Sequence, residues 1–184
     1  MQHQGTKTLE TERLILRKFT MADAEAMYFN WASDEDVTKY LTWPHHESID
    51  TTRHVLEDWI SHYQNDDYYQ WAIVLKKTKE PIGSISIVES NEEVSMVEVG
   101  YCIGKQWWHQ GYTSEALEAV IRFLFAEVCA NRIQAKHDIH NPDSGKVMAK
   151  CGMQYEGTLR QYARNNTGIC DVCLYALVKE DRKG

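Results

Sequence analysis

The clearest pattern in the chain lies between residues 112 and 129. Leu117, Val120, Ile121, Leu124, Phe125 and Val128 fall at i, i+3, i+4, i+7, i+8 and i+11, the spacing that gathers side chains into one stripe of an α-helix. A helix is predicted over Tyr112 to Cys129. Ala24, Met27, Tyr28 and Trp31 repeat the 3.6 period behind Thr20 as cap, and Val55, Leu56, Trp59, Ile60 and Tyr63 do so behind Ser48. Asn141-Pro142 opens a further helix with a capping side chain before a first-turn proline, and Gly152 closes it. Between these segments the pattern turns β-like, at Thr11 to Phe19, Gln70 to Leu75, Pro81 to Glu89 and Val94 to Ile103. The short polar connections Lys77 to Glu80 and Ser90 to Glu93 make the last three an antiparallel meander. Arg132 to Ile139 should pair parallel to strand 94–103 through the crossover helix. Met153 to Arg164 and Ile169 to Val178 form a hairpin around Asn165 to Gly168. These elements define an α/β (α+β) protein with a mixed, mainly antiparallel sheet of about seven strands flanked by helices.

At 184 residues one domain is expected over 1–184, large enough to need neither disulfide nor metal to hold it. Twenty Lys and Arg against 27 Asp and Glu give a formal charge of −7. That balance argues against nucleic acid as partner, since a phosphate backbone is bound through clustered cations, and it suits a cationic ligand. The five cysteines, odd in number and irregular in spacing, read as reduced thiols of a cytoplasmic protein. Cys170 and Cys173 form a C-x-x-C, but strand alternation sends positions three apart to opposite faces. His45-His46 and His137-x-x-His140 lack a third ligand, so no metal is expected. No apolar run approaches the ~18 residues of a membrane span, and the N-terminal segment lacks the apolar stretch of a signal peptide.

Chemistry is concentrated where strand 94–103 runs into the long helix, through Gly104-Lys-Gln-Trp-Trp-His-Gln-Gly-Tyr-Thr113. A glycine at a tight turn before a helix leaves several backbone N–H groups unpaired at the positive end of the helix dipole, a site for phosphate or pyrophosphate. The competing reading is an ordinary strand-to-helix loop. The segment contains neither G-x-x-x-x-G-K-[ST] nor G-x-G-x-x-G.

Glu98, Gly100-Tyr101 and Trp108-His-Gln-Gly-Tyr-Thr113 leading into Ser114-Glu-Ala-Leu117 resemble the acetyl-CoA loop of the GNAT superfamily of N-acetyltransferases. Thr11-Glu-Arg-Leu-Ile-Leu-Arg17, Asn131-Arg132, Asn141-Pro-Asp-Ser144, Lys150-Cys-Gly-Met153, Glu156-Gly-Thr-Leu-Arg160 and Asp171-Val-Cys-Leu-Tyr175 extend the similarity to its RimJ/RimL-type branch over about residues 11–180. The loop departs from the family pattern R/Q-x-x-G-x-G/A, with Trp108 first and Thr113 last, and holds only the central Gly111. Backbone N–H groups can still bind a pyrophosphate along such a path. A tyrosine general acid seven residues after the capping asparagine is replaced by Met148, read as packing.

The resemblance implies a parallel strand pair splayed around acetyl-CoA, and acetyl transfer to a primary amine by direct attack. It places the cofactor on Ile103, Trp108, His109, Gln110, Gly111, Tyr112, Thr113, Ser114 and Asn141. Glu98 is implied as the base for the amine, and Ser144 as proton donor to the leaving thiolate. The alternatives are a solvated strand glutamate and a serine satisfying local helix-start donors. Tyr40, Trp43, His45, Arg160, Tyr162 and Asp171 are placed on the acceptor side, where the acidic excess should gather to receive a protonated amine. The acceptor reads as a protein or peptide N-terminal amine such as that of a ribosomal protein. The alternatives are a small cationic amine, such as an aminoglycoside, polyamine or amino-acid derivative, and a non-catalytic acyl-CoA-binding module. The expected state is a monomer or homodimer without membrane or nucleic-acid partners.

Overall fold

Strand Gln70–Leu75 is buried along its whole length, and the reason is that helices cover it on both sides. The computed structural model describes residues 1–182. Its strands are β1 (Leu9–Glu10), β2 (Leu14–Arg17), β3 (Gln70–Leu75), β4 (Pro81–Asn91), β5 (Met96–Ile103), β6 (Arg132–Asp138), β7 (Gln154–Asn165) and β8 (Gly168–Val178). The helices are α1 (Ala24–Met27), α2 (Glu35–Thr38), α3 (Ile49–His62), α4 (Tyr112–Ala126) and α5 (Pro142–Lys150). One sheet runs β1-β2-β3-β4-β5-β6-β8-β7. Every pairing is antiparallel except β5 with β6. The sheet thus has eight strands rather than about seven, because a two-residue strand, β1, precedes the predicted 11–19 segment, which is β only over Leu14–Arg17. No helix among the described residues is long and apolar enough to cross a membrane.

Helix α4 lies where the periodicity puts it. Leu117, Val120, Ile121 and Leu124 are fully buried against Leu16, Trp71, Ile85, Val97 and Ile133. Met148 of α5 joins the same core, as its apolar side chain requires. On the opposite face Met27, Trp31 and Leu56 pack on Ala72 and Val74. That second face is apolar at Ala72 and Val74 of β3 but polar at Gln70 and from β4 onward, where Ser84, Ser86, Glu98, Gln134 and Lys136 alternate with core residues.

The parallel ladder is brief. Met96, Val97 and Glu98 pair with Arg132, Ile133 and Gln134, and beyond them the two strands share no ladder. On the other edge of β5 an extra residue, Val88, sits between the Ile87–Val99 and Glu89–Glu98 pairs. Such a bulge sharpens the local twist of the sheet.

The helix expected after Thr20 is not one regular helix. It is a 3₁₀ turn (Met21–Asp23), then α1, then a π turn (Tyr28–Ala32). Ser33 causes the last change: its N–H and hydroxyl both donate to the Tyr28 carbonyl, at 3.1 and 2.7 Å, the i→i−5 bond of a π turn. The start of this segment is held by Asp23, whose carboxylate accepts both Arg17 guanidinium N–H groups at 2.8 Å and the Thr20 N–H at 2.8 Å. Burial works against the Asp23 charge, but the bonds from Arg17 and Thr20 outweigh it and hold the carboxyl below the usual carboxylate range. Its contribution to stability is therefore complete above the unfolded carboxylate value near ~4 and is lost as pH falls through the lowered folded value. Asp23→Ala should destabilise the protein by about 3 kcal/mol by stranding Arg17, read from urea unfolding at pH 7. The difference from wild type should shrink as the titration is repeated toward pH 3.

Candidate active site

β5 ends at Ile103, and Trp107 and Trp108 fasten the chain that follows. Trp107 is buried in the core, and the Trp108 indole N–H donates to the Ile103 carbonyl at 2.9 Å. Gly111 then takes φ +80 at the N-cap of α4, a left-handed conformation that costs other residues strain. The N–H groups of Tyr112, Thr113 and Ser114 find no hydrogen-bond partner among the described residues.

Two cations flank this point: a Cβ at Gly111 would lie 3.5 Å from Arg13 Nη2 and 3.6 Å from Lys150 Nζ. Arg13 also donates to the Gln110 carbonyl at 3.0 Å and to Glu115 at 2.6 Å, and stacks over Tyr112. Sequence reasoning missed Arg13 because it belongs to the opening strand segment, remote in sequence from the loop. Only tertiary pairing brings the two together.

A cavity of about 310 Å³ opens between this loop and α5. Ile103, Trp108, His109, Gly111, Thr113, Ser114 and Asn141 line it, together with Lys146 and Lys150. Two residues placed here from sequence do not line it. The Gln110 carboxamide turns back to the Gln106 carbonyl, at 2.8 Å, and Tyr112 lies under Arg13.

A second cavity, of about 420 Å³, lies over the polar part of the sheet. The two share Tyr40, Leu41, Tyr101, Cys102, Asn141 and Ser144, so they meet where β5 and β6 part and α5 begins. At the junction Tyr101 donates to the Ser144 carbonyl at 2.9 Å, and the Ser144 hydroxyl donates to the Tyr101 oxygen at 3.1 Å. Burial raises the Tyr101 pKa, so its proton stays on at neutral pH. The Ser144 hydroxyl therefore reaches across to β5 rather than serving the start of its own helix. Asn141 occupies the N-cap position but makes no side-chain cap bond, which corrects the expected cap and leaves its carboxamide facing both cavities.

Glu98 is buried, not solvated. Its Oε2 accepts Gln134 Nε2 at 2.9 Å and Lys136 Nζ at 3.0 Å, while Oε1 has no partner among the described residues. Burial acts against the Lys136 charge, but Glu98 outweighs it and raises the lysine pKa. The predicted parallel pairing was the signal that could have placed Gln134 and Lys136 beside Glu98.

On the acceptor side Tyr40 and Trp43 line the second cavity, but His45, Arg160, Tyr162 and Asp171 do not. His45 turns toward Glu35, 3.8 Å away. The hairpin residues are displaced by a bulge, since Leu159 pairs with Val172 and Ala163 with Cys170. Residues 160–162 thus face Asp171 alone and are extruded, and Asp171 clamps them by accepting the Gln161 N–H at 2.8 Å. Tyr162 instead covers the Lys136 ammonium, 4.6 Å from its ring centre, and Ala163, Arg164 and Asn165 reach the cavity. The cavity's carboxylates, Glu98 and Asp138, are balanced by Lys136 and Arg164, so the expected acidic acceptor side is not found.

A parting parallel pair, a cation-flanked helix N-terminus and two cavities joined at a hydroxyl pair define a two-substrate group-transfer fold. The Acetyltransferase (GNAT) domain family matches residues 13–154, and the chain belongs to that family of N-acetyltransferases. It is 35% identical over 171 residues to the uncharacterized N-acetyltransferase YoaA of Bacillus subtilis, covering 93% of this chain and 96% of that one. It is 30% identical over 139 residues to the ribosomal-protein-serine acetyltransferase of Escherichia coli, covering 75% and 76%. The solved structure of RimL, a ribosomal L7/L12 α-N-protein acetyltransferase in complex with coenzyme A, superposes with a TM-score of 0.83 at 20% identity, covering 94% and 98%.

Gly111→Ala should cost about 1–2 kcal/mol through left-handed strain, lowering Tm by roughly 4 °C in calorimetry.

Proposed function

We propose that this N-acetyltransferase takes its acetyl group from acetyl-CoA and passes it by direct attack to the α-amine of a polypeptide. The observation that carries this reading is the meeting of two cavities at Tyr101, Asn141 and Ser144. In this reading the free N–H groups of Tyr112 to Ser114, with Arg13 and Lys150, hold the pyrophosphate. The backbone edge of β5 beyond Glu98, which has no ladder with β6, offers hydrogen bonds to an extended pantetheine arm. That places the thioester at the junction.

The amine attacks the carbonyl carbon, a tetrahedral oxyanion forms, and the carbon–sulfur bond breaks to release a thiolate. Ser144, with Tyr101 behind it, supplies the proton to sulfur. Glu98 Oε1 takes the proton from nitrogen, directly or through water, while Lys136 and Gln134 fix the other oxygen. An α-amine with a pKa of ~7.7–8.0 is already about one-tenth neutral at pH 7, so the base has modest work to do. Likeness to enzymes named for ribosomal-protein serine and L7/L12 supports a polypeptide acceptor. One feature favours a compact amine as second reading: Asn166 Nδ2 donates to the Thr38 and Trp43 carbonyls, each at 2.8 Å, closing one side of the acceptor cavity. The cytoplasm suits five unpaired thiols.

Glu98→Gln should lower kcat/KM at pH 7 by about 10²-fold, with the thermal shift produced by acetyl-CoA unchanged. The deficit should shrink above pH 8, where the amine is neutral without help. An unchanged pH–rate profile removes Glu98 from the mechanism. Ser144→Ala should lower kcat by tenfold or more at saturating substrates in a free-thiol assay, and a full rate excludes it as the acid.

A further inference from the structure

We infer that the acceptor carries an uncharged hydrogen-bonding group beside its amine, an amide or a hydroxyl, and that Gln70 reads it. The inference rests on the second cavity being the acceptor site and specifies what that site selects.

Gln70 is only 7% exposed, and it lines this cavity. Its backbone is satisfied within the fold: the N–H donates to Thr6 Oγ1 at 3.0 Å, and the carbonyl accepts the Tyr63 hydroxyl at 2.8 Å. Its carboxamide has no hydrogen-bond partner among the described residues. Among the described residues only Trp31 Nε1 and His137 Nε2 are closed off from solvent without a partner, so the Gln70 carboxamide is open to the cavity and free to bond what enters it. Such a group at the floor of a cavity is a recognition element lacking its complement.

The surroundings state which complement fits. In the sheet register Gln70 lies opposite Ser86, and Ser86 lies opposite Gly100, with Ser84 two residues along. Because alternate residues share a face, Gln70, Ser84 and Ser86 form one uncharged polar floor. The cavity's charged residues stand apart on β5, β6 and the hairpin, and they balance. A cationic or anionic tail would find no counter-charge at Gln70. An amide or hydroxyl can both donate to and accept from a carboxamide. Gln70 stands two strands from Gly100, ~10 Å at the backbone, and both line the cavity. The recognised group therefore lies within ~10 Å of the amine attacking beside Tyr101. In a polypeptide acceptor it is the first side chain. An apolar substituent of the same size would enter and leave Gln70 unpaired, the kind of mismatch that hydrogen-bonding sites reject strongly.

The test measures acetyl-CoA-dependent thiol release with near-isosteric pairs: peptides beginning Asn or Leu, peptides beginning Ser or Ala, and the free amines asparaginamide and leucinamide. Wild type should favour Asn over Leu by at least tenfold in kcat/KM, and Ser over Ala in the same direction. Gln70→Met should bring the Asn/Leu ratio near 1, and Ser86→Ala should narrow it. Ratios of 1 or below in wild type overturn the inference while leaving acetyl transfer intact, and this readout needs no variant to fold. A wild-type ratio retained in Gln70→Met removes Gln70 as the reader. If none of these amines releases thiol, the acceptor reading falls and the inference falls with it.

Discussion

Everything distinctive about this protein follows from how soon β5 and β6 stop pairing. Three residue pairs hold the parallel ladder, and Glu98 with Gln134 is the last. Had the ladder continued, the β5 backbone would be satisfied and the sheet closed, with no wedge for a substrate. Its early end opens the space in which Tyr101 meets Ser144 and the two cavities join. The Glu98–Lys136–Gln134 cluster sits at the apex, so a charge-assisted set of hydrogen bonds fixes the point where the strands part.

That geometry separates two kinds of binding. On one side the helix N-terminus and nearby cations present fixed positive potential, which suits an anionic ligand whatever the total charge of the chain. On the other the charges cancel in pairs and the floor is neutral. A formal charge of −7 therefore says nothing about the charge inside either cavity. The charge that matters is local, and the remaining acidic excess lies outside these cavities.

Much of this was legible beforehand, for definable reasons. Helix α4 carries five of the six apolar positions set at helical spacing, Val128 lying just past its end, and the parallel β5–β6 pair follows from the crossover through that helix. Glycine at position 111 pointed to a strained loop, and the structure gives it φ +80. Side chains brought in by distant elements were not legible. Arg13 reaches the loop from the bend between β1 and β2, and nothing local marks it. His45, Arg160, Tyr162 and Asp171, set on the acceptor side by resemblance, fall outside the second cavity, the last three where β7 breaks its ladder with β8. Nor does periodicity reveal a π turn, since a single backbone N–H bonded five residues back, here Ser33 to Tyr28, makes it.

The bulged β7 has a consequence beyond the cavity. It is one outer edge of the sheet, with register breaks at Tyr155/Gly157 and Leu159/Ala163, and the other edge, β1, is two residues long. Neither border offers a long flat row of N–H and C=O groups to another chain. Long regular edges template aggregation, and short or bulged ones resist it. The kink that keeps three residues out of the second cavity thus also protects a sheet of eight strands from growing a ninth by capture of a neighbour.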